Sequence, residues 1–117
     1  MGGETIGMTK AEASVVIDRP VEAVWSFVFS DLNRFAKSVN SDVIESKQTS
    51  SGPIGVGTTF HETRSKTPKA MDYRITEYEP KNRFTVEMIS GPIKGSVATE
   101  KFEGIEGKTR FTETTCL

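Results

Sequence analysis

The sequence predicts an α+β fold: a curved antiparallel β-sheet of about seven strands, with two short helices after the first strand. Three observations predict it. A β-branched run opens the ordered part of the chain at "AEASVVID" (11–18). Apolar residues then recur with a period near 3.6, and from residue 42 onward the period falls to 2. The period-two segments follow one another through short turns, which join antiparallel neighbours only.

The first strand is bounded by charge. In "RPVEAVWSFVFSD" (19–31), Pro20 suits the first helical position and Glu22 lies in the first turn, where the helix dipole favours an acid. Val21, Val24, Trp25 and Val28 form one apolar stripe, which Phe27 and Phe29 broaden. Ser30 or Asp31 can cap a second short helix carrying Leu32, Phe35, Ala36 and Val39. Strands are then expected in "DVIESKQ" (42–48), "TTFHETR" (58–64), "MDYRITEYE" (71–79), "RFTVEMI" (83–89), "SVATEKFE" (96–103) and "TRFTETTC" (109–116).

Between the second and third strands lies "SSGPIGVGTT" (50–59), with Gly52, Gly55 and Gly57 close together. A phosphate-cradling loop needs a Lys-Ser/Thr pair after its last glycine and a helix to follow. Here no lysine follows Gly57, and the next residues alternate like a strand. The segment is read as a turn. Ser-Gly-Pro-Ile recurs at 90–93, again between strands, with unrelated flanks.

The chain of 117 residues, 35% apolar and 26% charged, suits one domain able to bury about two thirds of its unfolded surface. We read 1–9 as a flexible leader and 10–117 as that domain. With a net charge of −1 and no basic stripe, nucleic acid is not an expected partner. Cys116 is the only cysteine and His61 the only histidine, so no internal disulfide forms and no zinc site of the usual kind is expected. No cofactor is expected. No run reaches the roughly 18 apolar residues of a membrane span. The leader "MGGETIGMTK" lacks the apolar stretch of a signal peptide. The localisation read from these features is cytoplasmic.

"VVIDRPVEAVWSFVFSDLNRF", "GPIGVGTTF", "YRITEYEPKNRFTVE" and "EKFEGIEGKTRFTET" follow one another in an order and spacing that resembles the START-like, Bet v 1-like (SRPBCC) superfamily. The nearest branch looks like the polyketide cyclase/dehydrase and lipid-transport group. The resemblance covers residues 11–116 and rests on order and spacing, because no single motif is diagnostic. It implies a helix-grip fold, in which the sheet wraps a long C-terminal helix around a cavity for an apolar ligand. This sequence stops at Leu117, and the family's C-terminal helix is missing from it. An uncovered apolar face would exceed the patch a monomer tolerates. We therefore expect that face to be covered by a longer chain, a homodimer partner or a ligand.

Period-two parity puts Phe60, Tyr73, Ile75, Phe84, Val86, Met88, Phe102 and Phe111 on one inward face. Together they can wall a cavity with adaptable Met and aromatic side chains, and singly each also fits plain core. Glu62 and Arg64 share the parity of Phe60, Glu100 that of Phe102, and Glu113 that of Phe111. If inward, such carboxyls orient a ligand hydroxyl or act as acid or base; bulges or strand ends would instead turn them to solvent. Tyr73 is the expected polar anchor. His61 is off parity and should face outward, Trp25 belongs to the helix–sheet core, and Cys116 is read as inert.

The reading that follows is a binding, possibly transport, protein for a hydrophobic small molecule such as a lipid or a polyketide-like aromatic. The resemblance supplies that ligand class. Two alternatives stand beside it: a polyketide aromatase/cyclase-like enzyme using an inward acid/base pair, and a protein-interaction module like the Hsp90 co-chaperone domains, which would have no enclosed cavity.

Overall fold

A computed structural model describes residues 10–116; the leader reading falls on residues outside that range. The elements run β1 (Lys10–Ile17), α1 (Val21–Ser30), α2 (Leu32–Val39), β2 (Val43–Gln48), β3 (Thr59–Arg64), β4 (Ala70–Glu79), β5 (Arg83–Met88), β6 (Val97–Ile105) and β7 (Lys108–Cys116). All seven strands join one antiparallel sheet in the order β1-β7-β6-β5-β4-β3-β2. Consecutive strands are neighbours from β2 to β7, and β1 closes onto β7.

Local chemistry sets the boundaries. Pro20 precedes the first helical residue instead of being it: its ψ of 157° is extended, and its carbonyl accepts from the Ala23 and Val24 amides. The bend between the helices falls at Asp31, whose side chain accepts from the Arg34 amide at 3.4 Å while its own amide donates back to Phe27. The glycine segment is a turn, as its sequence predicts. Gly57 has φ +95°, its amide donates to the Ile75 carbonyl at 2.8 Å, and β3 follows within two residues. At the β6–β7 hairpin Glu106 and Gly107 both have positive φ, which suits the right-handed twist of a two-residue turn.

The helices lie on the concave face but cover it unevenly. Helix α1 packs on β6 and β7, and α2 packs on β2. Val24 and Val28 of α1 are buried against Phe84, Phe102 and Phe111. Trp25 meets the same cluster edge-on, with ring centroids 5.1 Å from Phe102 and 6.0 Å from Phe84. Phe27 and Phe35 link the helices at 6.5 Å. The Asn33 side chain accepts from the Ser46 amide at 2.6 Å and pins α2 to β2. A second core, around Met71, Ile75 and Met88, lies over the β3–β5 half. By contrast every residue of β1 from Lys10 to Val16 is exposed.

Among the described residues no helix is long and apolar enough to cross a membrane. Ile75 is fully buried at the junction of the glycine turn and β4. Replacing it with Ala should cost about 2–5 kcal/mol, read as a lower denaturant midpoint with an unchanged slope.

Candidate functional site

Between the two helix contacts the middle of the sheet is left open, and there the concave face holds a cavity of about 330 Å³. Its floor is Phe60, Tyr73, Val86, Met88 and Ala98, contributed by β3 to β6. Its roof is Phe29 of α1 with Leu32, Phe35 and Val39 of α2. Phe29 stacks on Phe60 at 6.3 Å and tilts against Phe84 at 5.2 Å, closing the α1 side. The α2 stripe that periodicity makes apolar is therefore cavity roof.

Charged side chains break this apolar wall in two places, and Asn40, Ser46, Ser96 and Thr115 add smaller polar groups. The first charged cluster joins β3 and β4. Glu62 is buried opposite Met71, and its Oε2 accepts from Arg64 Nε at 2.6 Å and from the Tyr73 hydroxyl at 2.5 Å. Arg64 Nη2 also donates to the Tyr73 oxygen at 3.2 Å, completing a three-membered network. Burial, and then the neighbouring Glu62 charge, push the Tyr73 phenol well above its ordinary range, so it stays a donor at any physiological pH. Burial is the largest single influence on Arg64 and opposes its charge, but the bond to Glu62 together with the other Glu62 and Tyr73 interactions outweighs it and holds the guanidinium above its ordinary value.

The second charged cluster joins β6 and β7. Glu100 and Glu113 stand directly opposite each other in the ladder, and both face the cavity. Glu100 is only 5% exposed, and its Oε2 is buried with no hydrogen-bond partner. Burial first, and then the facing Glu113, push Glu100 well above the usual carboxylate range. Two facing carboxyls in an apolar wall cannot both carry charge cheaply, which favours the protonated form of the buried Glu100.

Of the residues that parity puts inward, Phe60, Glu62, Tyr73, Phe84, Val86, Met88 and Glu100 line the cavity, as do Arg64 and Glu113. Ile75, Phe102 and Phe111 face the same way but are not on the cavity wall. The glycine turn and β4 neighbours enclose Ile75, and α1 covers Phe102 and Phe111, so their sides are packed. His61 is off the wall: its Nδ1 lies 2.8 Å from Asp72, which also accepts from the Ser90 hydroxyl at 2.7 Å. Sequence reasoning did not assign α2 or Ser46 to the site. The Leu32–Phe35–Val39 stripe carried the signal, but which part of the sheet it covers depends on the Asp31 bend.

A family model described as polyketide cyclase/dehydrase and lipid transport matches residues 8–115. The chain belongs to that family. Solved structures agree on the fold at low identity. The crystal structure of Ara h 8.0201 is similar with a TM-score of 0.69 and 13% identity, over 94% of this chain and 76% of that one. Norcoclaurine synthase from Thalictrum flavum, solved with dopamine and hydroxybenzaldehyde, gives 0.70 and 14%, over 93% and 68%. An uncharacterised protein from Bacillus thuringiensis gives 0.69 and 14%, over 92% and 76%. No curated protein matches the sequence significantly. Family and fold together put the chain in the Bet v 1/START-like superfamily, with a helix-grip α+β architecture.

The Glu100 carboxyl makes stability depend on pH. Its folded value lies above its unfolded one, so its contribution is fully present below the unfolded value and is lost as pH rises through the folded one. Glu100→Gln keeps the shape and removes the titration. Urea midpoints across a pH series should fall for the wild type above the ordinary glutamate range, and should fall less for the variant.

Proposed function

We propose that the protein binds a hydrophobic small molecule in the cavity between the sheet and the two helices. One observation carries the reading: a concave hollow of about 330 Å³ whose floor and roof are mostly apolar side chains, with its charged groups gathered in two clusters. Small-molecule sites have this composition, and pockets of about 300–1,000 Å³ are typical of them. Burial of apolar ligand surface, at about 25 cal/mol per Å², supplies the affinity. Phe60, Phe84, Val86 and Met88 furnish the contact, and Met88 adapts to irregular shapes. The Glu62–Arg64–Tyr73 network fixes orientation at one end, and Glu100 does so at the other.

Membership of a family described by polyketide cyclisation, dehydration and lipid transport supports an apolar ligand, a lipid or a polyketide-like aromatic. A hollow of this size favours ligand binding over a protein-interaction module, which would have none. The same polar groups keep the aromatase/cyclase-like reading in view, since Tyr73 remains a donor and burial holds the Glu100 carboxyl well above its ordinary range.

Native mass spectrometry of freshly purified protein should reveal a co-purifying apolar molecule, or a fluorescent apolar probe should bind with saturation. Val86→Phe fills the cavity floor beside Ile75 and Ala98. It should cut probe affinity by about tenfold or more while the thermal transition stays cooperative. Unchanged affinity in that variant would overturn the assignment of the cavity as the binding site.

A further inference from the structure

The two charged clusters in the cavity wall differ in one respect. In the Glu62–Arg64–Tyr73 network the acid has a cation, and the phenol and guanidinium are both engaged. The Glu100–Glu113 pair has none. Among the described residues lining the cavity, Arg64 is the only cation, and it is committed to Glu62. The remaining titratable groups on the wall are Tyr73 from β4 and the pair itself. The parts of α1, α2, β1, β2 and β5 that face the cavity add none.

Glu100 Oε2 is a second and independent sign. It is buried on the cavity wall and unpartnered, in a residue only 5% exposed. Buried carboxyl oxygens nearly always have a partner, because leaving one unmade costs its desolvation. Within the chain the Glu100 carboxyl can bond only to the facing Glu113, and one proton between two carboxyls leaves acceptor positions on the pair unfilled. What completes them must donate a hydrogen bond, and what balances the pair must be positive.

We infer that the Glu100–Glu113 pair is the subsite for a protonated amine, so that the ligand is an apolar or aromatic body ending in an ammonium group. This rests on the reading of the cavity as a ligand site. The ammonium donates to Oε2 of Glu100 and to the Glu113 carboxyl, and supplies the charge the wall lacks. Once it is in place, Glu100 can ionise, and its proton leaves to solvent. Binding is therefore tighter as pH rises through the titration of Glu100, while the amine itself stays protonated. A ligand carboxylate would meet a negative wall and is excluded. A hydroxyl can complete Oε2 but leaves the charge unanswered.

Three matched probes decide the matter: naphthylmethylamine, naphthylmethanol and naphthylacetate, one ring system ending in an ammonium, a hydroxyl or a carboxylate. Fluorescence titration near neutral pH should rank the amine first, by about tenfold or more over the alcohol, since bonds to charged groups are the strong ones. The carboxylate should bind weakest. Glu100→Gln should abolish both the preference for the amine and its rise with pH, and Glu113→Gln should do the same if the first variant folds poorly. Equal affinity for amine and alcohol, or a preference unchanged in the variants, overturns the amine subsite and leaves the cavity as a ligand site. Failure of all three probes to bind, with nothing co-purifying, overturns the proposed function itself.

Discussion

The whole arrangement depends on a mismatch of widths. Seven antiparallel strands at about 4.8 Å spacing make a concave face that two helices, each about 10 Å across, cannot cover. The chain resolves the mismatch by separating them at Asp31. Helix α1 goes to β6 and β7, and α2 goes to β2. Each helix buries the strands beneath it, and over the strands between them Phe29, Leu32, Phe35 and Val39 roof the inward side chains without filling the space above them. The cavity is thus not a defect in a core. It is what remains when apolar alternation continues across strands that the helices only partly cover.

That geometry also explains where polar groups can be tolerated. Beneath α1, where packing is complete, the inward positions are Phe102 and Phe111. One ladder step away, the positions opposite Phe84 and beyond are Glu100 and Glu113. A carboxyl beneath a packed helix would be stranded without compensation, whereas one on a cavity wall can await a partner from outside the chain. Glu62 shows the other solution. It receives two donors from its own sheet and is fully served without a ligand. One network positions; the other is incomplete by construction.

Much of this was legible because the sheet obeys a rule of period two. The strand segments, the inward residues from Phe60 to Phe111 and the outward His61 follow from parity alone, since antiparallel pairing with short turns leaves no freedom to choose faces. Two things were not legible. The irregularity between Ile75 and Glu77 resets the parity of β4 and brings Tyr78 to the Trp25 cluster, at 5.7 Å. A bulge has no sequence signature as strong as alternation. Nor does parity say which inward residues are covered: Ile75 and Val86 are ladder partners of the same sense, yet one is sealed and the other borders the cavity. That difference comes from where the helices land, and so from the Asp31 bend and the Asn33 bond to β2.

The same division accounts for a fold shared at 12–14% identity. The scaffold asks only for alternation, for glycines where φ is positive and for one bend between helices, and many sequences satisfy those demands. Ligand choice asks for more, because it lives in a few inward positions whose side chains do not hold the sheet together. Exchanging Glu100 for an apolar residue would leave the ladder, the helices and the aromatic cluster intact while changing the charge of the wall. In such a protein the residues least needed for folding are the ones that carry specificity. An inward carboxyl oxygen left without a partner therefore says more about function than the many apolar contacts that surround it.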